Sequence, residues 1–528
     1  MSQTKQSHST DGRTVSLWQS TVDLPTYPPL QASTTADVCV VGAGIAGLTT
    51  AYLLAKEGRS VIVLDDSAVG DGQTGRTSAH LASANDDRFF DLRRMFGDEI
   101  AKIAWKSHAA GIDKIEQISA EEMIDCDFAR LDGYLFCAPG DDANYLKQEL
   151  DACMQLGIAV EMVGRAPLGD FNTGLAIRFP RQARFHPLRY LNGLANALVK
   201  LGGKIHTGTH VNDVKGGRLS QGEMCVTTCD NGAAVQSKSV VVATNTPAPI
   251  NDWMGIYTKQ SSYRTYMLVF QIPKGSVTDA LFWDTGEKQK GYQLRPYHYV
   301  RVESQTDASH DLLLVGGEDH KVGQFDPSRS PFDELEKWTR EHIGAAGEIV
   351  HRWSGQVQEP NDAMAYIGEA PTKKPNVYVI TGDSGMGLTH GTLGAMLITD
   401  LIQSRPNPWA KAYDPSRKPT AAPGEFVKEN VNVAATYTEY LTPGEISDAS
   451  QVQPGEGAIL REGLKKLAIY RDPSGATHRL SCACTHLGCI VHWNSIEKTW
   501  DCPCHGSRFN ATGDVIMGPA IEGLKKVE

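Results

Sequence analysis

The 528-residue chain lacks a basic excess, holds little cysteine outside one short stretch, and has almost no long apolar run. Lys and Arg number 51 against 62 Asp and Glu, a formal net charge of −11. That balance argues against nucleic acid or an anionic membrane as the main partner. Residues 1–30 are polar, rich in Ser and Thr, and without an apolar signal-peptide core. One uncharged stretch, Val38 to Ala55, has the length of a membrane span. Its three spaced glycines read instead as a buried strand, turn and helix. Nothing else approaches membrane length, and no internal repeat or long low-complexity segment occurs. Of the 11 cysteines, Cys39, Cys126, Cys137, Cys153, Cys225 and Cys229 are scattered without metal spacing. Such residues are expected as buried free thiols in a reducing compartment, so a cytoplasmic location is expected. With 41% hydrophobic and 21% charged residues, the composition is that of an ordinary soluble globular protein. The length leaves room for about three domains.

Two motifs carry chemistry. The first is Ala36-Asp-Val-Cys-Val-Val-Gly42-Ala-Gly44-Ile-Ala-Gly47, an apolar strand running into G-x-G-x-x-G. A helix from Leu48 to Glu57 and a second strand, Ser60 to Leu64, are expected to follow, ending at Asp65. The glycines allow a tight turn and close approach of backbone to a pyrophosphate seated on the helix N-terminus. Asp65 stands where a carboxylate accepts a hydrogen bond from a ribose hydroxyl. Strand, fingerprint, helix, strand and acid in one unit specify a dinucleotide site far better than the glycines alone. The loop that follows, with Thr74, Gly75, Arg76 and Thr77, offers further N–H and hydroxyl groups to a cofactor.

The second motif is C-x-H-x15-C-x2-H: Cys484, His486, Cys502 and His505, with Cys489 and Cys504 inside the two halves. Two Cys and two His on short loops make a metal site, either a histidine-ligated [2Fe–2S] centre or tetrahedral structural zinc. A closed zinc site needs neither additional cysteine.

Both loops, with Gly518-Pro519-Ala520 downstream, resemble the Rieske [2Fe–2S] family. The resemblance implies that Cys484, His486, Cys502 and His505 are the cluster ligands. It also implies a Cys489–Cys504 disulfide, which oxygenase-type Rieske domains usually lack and which needs shielding in a reducing compartment. Ser507 stands where relatives of the cytochrome bc type donate a hydroxyl to a bridging sulfide. Phe509 replaces a Tyr that donates to a ligand sulfur, so a lower potential is expected. Cys482 is left as a small apolar residue.

Up to about residue 417 the chain resembles the D-amino-acid-oxidase-like (DAO) family of FAD-dependent oxidoreductases. The resemblance rests on the 42–78 region, on Phe185-His-Pro187-Leu-Arg189, on Lys204 to Val211, on Ser239 to Asn245 and on Val377 to Thr389. It implies that Val211 meets the adenine through its backbone. It also implies that Gly385, Gly387, Leu388 and Thr389 open a helix, expected over Leu393 to Ile402, aimed at the flavin pyrimidine. The expected fold is an α/β FAD-binding domain, Rossmann-like and of glutathione-reductase type. It is interleaved with an α+β antiparallel-sheet substrate domain and followed by an all-β C-terminal Rieske domain. The expected division is an N-terminal arm over 1–35, then the oxidoreductase over 36–417. Within it, 36–85, 175–255 and 350–417 bind FAD, while 86–174 and 256–349 form the substrate part. A proline-rich linker over 418–454, with one helix near Val433 to Leu441, leads to the Rieske domain over 455–528.

Catalytic residues are not identifiable from the sequence. Where amino-acid-oxidising relatives hold an Arg for the substrate carboxylate, ahead of an Asp (here Asp362), this chain has Val357. An apolar side chain makes no bidentate pair, so a simple α-amino acid fits only if Arg264, Arg301 or Arg352 supplies the clamp. Tyr297, Tyr299 and Arg301 share one face of an expected strand, Tyr292 to Val302, either towards the flavin or away from it. Strands are also expected over Tyr263 to Gln271 and Leu312 to Gly316. Glu318-Asp319-His320-Lys321 reads as a charged turn closing the last of these, with acid–base work by the same run as the alternative. His80 is a weak candidate for covalent flavin attachment. The expected activity is oxidation of a small amine-like or amino-acid-like molecule at FAD. Electrons then leave singly through the cluster to an external acceptor protein, or enter from an external donor. Direct use of O2 with a redox-tuning Rieske domain, or redox sensing without turnover, are the alternatives.

Overall fold

The structure, a computed structural model, describes residues 12–138, 140–246, 256–286, 297–304, 308–325, 329–371, 374–418 and 420–527. The nucleotide motif begins a parallel sheet ordered Val377–Thr381, Ala234–Asn245, Thr34–Val41, Val61–Leu64 and Lys204–His206, with Tyr366–Glu369 antiparallel at one edge. Val38, Cys39, Val40 and Val41 are buried on both faces, as a strand covered on two sides must be. Helices Ile45–Lys56, Pro187–Lys200 and Gly387–Ile402 pack on this layer. The first and last begin earlier than apolar periodicity indicates, because Ala46 and Gly47, and Gly387, Thr389, Gly391 and Thr392, interrupt the apolar pattern of their opening turns.

A second sheet lies over the cofactor side. It runs Ile349–Pro360, Gln260–Pro273, His310–Lys321, Tyr299–Glu303, Leu281–Asp284, Ala129–Phe136, Ala176–Arg184 and His80–Leu81. Its pairings are antiparallel except that Leu281–Asp284 runs parallel to Ala129–Phe136. The expected charged turn at Glu318 to Lys321 is absent. The strand continues to Lys321, which stands opposite Tyr263. A neighbouring strand holds these polar residues extended, overriding their turn preference. Of the expected Tyr292 to Val302 strand, residues 292–296 lie outside the described residues, and the strand covers Tyr299–Glu303.

The C-terminal part is all β. A three-stranded sheet, Glu456–Glu462, Lys465–Arg471 and Thr477–Ser481, precedes a four-stranded one, His492–Asn494, Thr499–Asp501, Arg508–Asn510 and Val515–Met517. The proline-rich segment before it is more regular than its composition implies. Pro423 sits in the first turn of helix Pro423–Thr436, where its missing N–H costs nothing, and a 3-10 turn, Tyr437–Leu441, follows. This strap lies on the cysteine loops: Tyr437 donates to Leu487 O at 2.7 Å and Tyr440 to Gly488 O at 2.5 Å.

Candidate active site and metal centre

A cavity of about 320 Å³ runs from the nucleotide motif to the underside of the second sheet. At its near end Gly42 has φ +107°, and a Cβ there would lie 2.5 Å from Ala243 O. Gly47 packs against Gly42 O, and a Cβ on Gly44 would lie 3.0 Å from Thr74 Oγ1. These contacts leave room for ligand backbone approach and none for side chains. Asp65 accepts from Ala43 N at 2.5 Å and Ser67 N at 2.8 Å. Burial, then the neighbouring Asp66, pushes its carboxyl up to about 7. A ribose hydroxyl would relieve that desolvation, so the residues present fit a dinucleotide.

Gly42, Gly44, Asp65, Thr74, Thr77, Val211, Gly385, Gly387, Leu388 and Thr389 line the cavity, whereas Gly47 and Gly75 lie behind it. Arg76 borders the cavity, but its guanidinium turns away. It donates to Thr14 O at 2.7 Å and Ser354 O at 2.9 Å, and lies 3.7 Å from Glu497.

The roof of the cavity is the face of the second sheet bearing Thr265, Asp319, Gly355, Val357 and Glu359, with Tyr297 and Tyr299 beside it. Tyr299 shares a 2.7 Å hydrogen bond with Thr265, and Tyr297 donates to Asp86 at 3.2 Å. Of this group, Tyr297, Tyr299 and Val357 were noticed in the sequence. Asp86, Asp319, Glu359 and Asp383 were missed as a group. The alternation Gly355-x-Val357-x-Glu359 on one strand was the available signal.

None of the three candidate arginines reaches the cavity. Arg264 bonds Ser354 Oγ at 2.8 Å and lies 3.3 Å from Glu497. Arg301 is buried, donates to Ala79 O at 2.9 Å and pairs with Glu303. Arg352 is exposed, with its guanidinium 5.8 Å from the Phe332 ring centre. His80 lines the cavity, its ring 5.7 Å from that of Tyr299, and burial drives it down to about 3, hence neutral.

At the C-terminal centre the Cys484 and Cys502 thiols are in hydrogen-bond contact, and the Ser507 hydroxyl meets Cys484. The His486 and His505 rings lie 5.2 Å apart between centroids. Burial holds them down to about 4 and 3, so both imidazoles are neutral, as metal ligands must be. His505 Nδ1 is buried without a hydrogen-bond partner among the described residues, a cost that a bound metal would remove. Cys489 and Cys504 form a disulfide. Both have sulfurs close to that of Cys502, but bonded to each other they are not free to ligate. Cys482 donates to Lys466 O at 3.0 Å within the core. The residues therefore fit a two-Cys, two-His cluster.

The imidazole edge faces the rest of the chain. Tyr257 packs edge-on against His486, with centroids 5.1 Å apart. Ser262 Oγ donates to His505 O at 3.1 Å, and Gln356 Nε2 to Gly506 O at 3.0 Å. Val515 to Gly518, Ala520 and Ile521 border the same cavity as the nucleotide motif. Glu497, 1% exposed, is surrounded by Arg76, Arg264, Ser354 and Thr14. This ion-pair cluster joins the two parts. It escaped the sequence reading because its members lie hundreds of residues apart.

Fold and site together define a flavoprotein with an appended iron–sulfur module. A family model described as FAD dependent oxidoreductase (DAO) matches residues 37–401, and one described as Rieske [2Fe-2S] domain matches 443–528. The chain belongs to the DAO family of FAD-dependent oxidoreductases and carries a C-terminal Rieske domain, and its cofactors are FAD and a [2Fe–2S] cluster. It is 31% identical over 516 residues to YhfW of Bacillus subtilis, described as a Rieske 2Fe-2S iron-sulfur protein, covering 97% of each chain. It is 26% identical to gamma-glutamylputrescine oxidoreductase of Escherichia coli, over 71% of this chain and 86% of that one. Glycine oxidase from Geobacillus kaustophilus shares the fold, with a TM-score of 0.60 at 18% identity, over 73% of this chain and 100% of that one.

Proposed function

We propose that this oxidoreductase dehydrogenates an amine-like or amino-acid-like substrate and passes the electrons singly through Cys484, His486, Cys502 and His505 to an external acceptor. FAD supplies hydride acceptance, and a [2Fe–2S] cluster supplies one-electron transfer. The chain's own part is to hold the substrate under Tyr297, Tyr299 and Val357, to exclude water beneath the second sheet, and to accept the substrate ammonium proton on a cavity carboxylate. The observation that carries the reading is the packing of the imidazole edge on Tyr257, Ser262 and Gln356, beside the cavity that takes the flavin. A donor fixed against its relay has the effective concentration that a free carrier lacks. The names of the relatives, gamma-glutamylputrescine oxidoreductase and glycine oxidase, agree in naming nitrogen compounds. Anaerobic addition of amines and amino acids to loaded protein tests the proposal. Flavin absorbance should bleach first, and the electron paramagnetic resonance signal of a reduced cluster should follow. A bleached flavin beside an oxidised cluster, with stoichiometric hydrogen peroxide once air enters, refutes the relay and leaves an oxidase.

A further inference from the structure

Resting on the amine-oxidising reading above, we infer that the substrate is a di- or polycationic aliphatic amine, held between the carboxylates of the cavity and its aromatic wall. Asp86, Asp319, Glu359 and Asp383 all line the cavity, and none is ion-paired to Lys or Arg among the described residues. Arg76, the one Arg or Lys among the lining residues described, is committed to Thr14 and Ser354. Asp319 Oδ1 is buried with no hydrogen-bond partner among the described residues, while its neighbour Glu318 turns to His298 at 3.4 Å. A buried carboxylate oxygen without a donor is costly, and a ligand ammonium would satisfy it.

Register strengthens the case. Val357 and Glu359 sit two residues apart on strand Ile349–Pro360 and both face the cavity, as does Asp319 on a strand of the same sheet. Where the family resemblance implies a cation for a substrate carboxylate, this chain has the apolar Val357, with Glu359 two residues along the same cavity-facing edge. The sign of the site is reversed. Trp283, Tyr297 and Tyr299 add aromatic surfaces, the two tyrosine rings 5.5 Å apart, and ammonium groups are attracted to such faces. Burial pushes the Asp319, Asp383 and Glu359 carboxyls up, so each gains its charge with a cation beside it, and one ammonium serves only one of them. A second cationic nitrogen, a few methylenes away, compensates another.

The test uses protein loaded with FAD and cluster, reduced with dithionite without oxygen so that no ligand is consumed. Equilibrium dialysis compares 1,4-diaminobutane, spermidine, butylamine and glycine. The diamine or the triamine should bind about tenfold more tightly than butylamine, the increment of one further charge-assisted hydrogen bond. Glycine should bind most weakly. Asp319→Asn and Glu359→Gln should each weaken 1,4-diaminobutane and spermidine more than butylamine, so that the tenfold preference shrinks towards unity. Equal binding of all four compounds, or tightest binding of glycine, overturns the inference. A diamine preference in dialysis with no bleaching of oxidised flavin by any of the four supports the inference and refutes the dehydrogenase reading. Bleaching by glycine without a diamine preference does the reverse.

Discussion

Glu497 shows how one side chain sets both stability and geometry. Burial alone would raise its carboxyl, but Arg76, Arg264 and Arg508 hold it well below the usual glutamate value of 4.5. Such a group adds stability above the unfolded value and loses it as pH falls. Thermal unfolding should therefore shift to lower temperature progressively below about pH 4.5, and Glu497→Gln should flatten that trend. Removing one partner from a buried cluster leaves the others uncompensated, so Glu497→Gln should cost about 3 kcal/mol in denaturant unfolding at neutral pH. At the cavity, Val357→Arg sets a guanidinium on the cavity face two residues from Glu359. It should weaken 1,4-diaminobutane roughly tenfold or more in dialysis, because like charges brought together cost several kcal/mol. At this scale the sequence was readable where function is local. Gly42, Gly44 and Asp65 announce themselves within one short unit. Glu497 and Asp319 do not, since their meaning depends on partners that only the fold supplies.

Among the elements, the strap Pro423–Thr436 and Tyr437–Leu441 departs most from expectation. Proline recurrence suggested a passive linker, yet Thr436 Oγ1 lies 3.1 Å from Cys504 Sγ, and Glu439 meets His492 at 2.8 Å. Burial opposes charge on His492, but Glu439 and Glu445 together raise it to about 9. The raised value means that this attachment is complete below about pH 6.5 and fades as pH rises through about 9. Limited proteolysis within 437–441, normalised to a reference substrate, should accelerate across that window. His492→Gln should be cut rapidly at every pH. The strand His310–Lys321 teaches a related lesson. Its last residues are polar because they border a cavity and an interface, and composition alone cannot separate that from a turn.

For the whole molecule, the junction between the two cofactor parts is tight. Gly323 has φ +70°, and a Cβ there would lie 2.7 Å from Pro503 N and 2.9 Å from Asp501 O. Gly323→Ala should push the cluster loop outward through the backbone of Asp501, Cys502 and Pro503, since the added Cβ would also lie 3.0 Å from the Cys502 carbonyl carbon, while every ligand side chain is kept. Both cofactor spectra should persist, while anaerobic stopped-flow should show slower cluster reduction after unchanged flavin bleaching. Unchanged cluster reduction would mean that this contact does not govern transfer. The layers and their order were visible in the sequence because each module carries its own periodicity. The way the modules dock was not, because it is written in single residues scattered along the chain.

The N-terminal arm gives this arrangement a history. Arg13 N donates to Glu497 O at 3.1 Å and Thr14 N to Glu497 Oε2 at 2.9 Å, a separation of 483 residues for the second pair. At roughly 5–20 residues per second, a ribosome needs about half a minute or more to deliver the partner that seats this arm. Until then the arm can rest on the oxidoreductase part, through Ser16 to Gly75 O at 2.5 Å and Trp18 to Thr77 O at 2.7 Å, but Arg76 and Arg264 wait for the carboxylate that completes the junction.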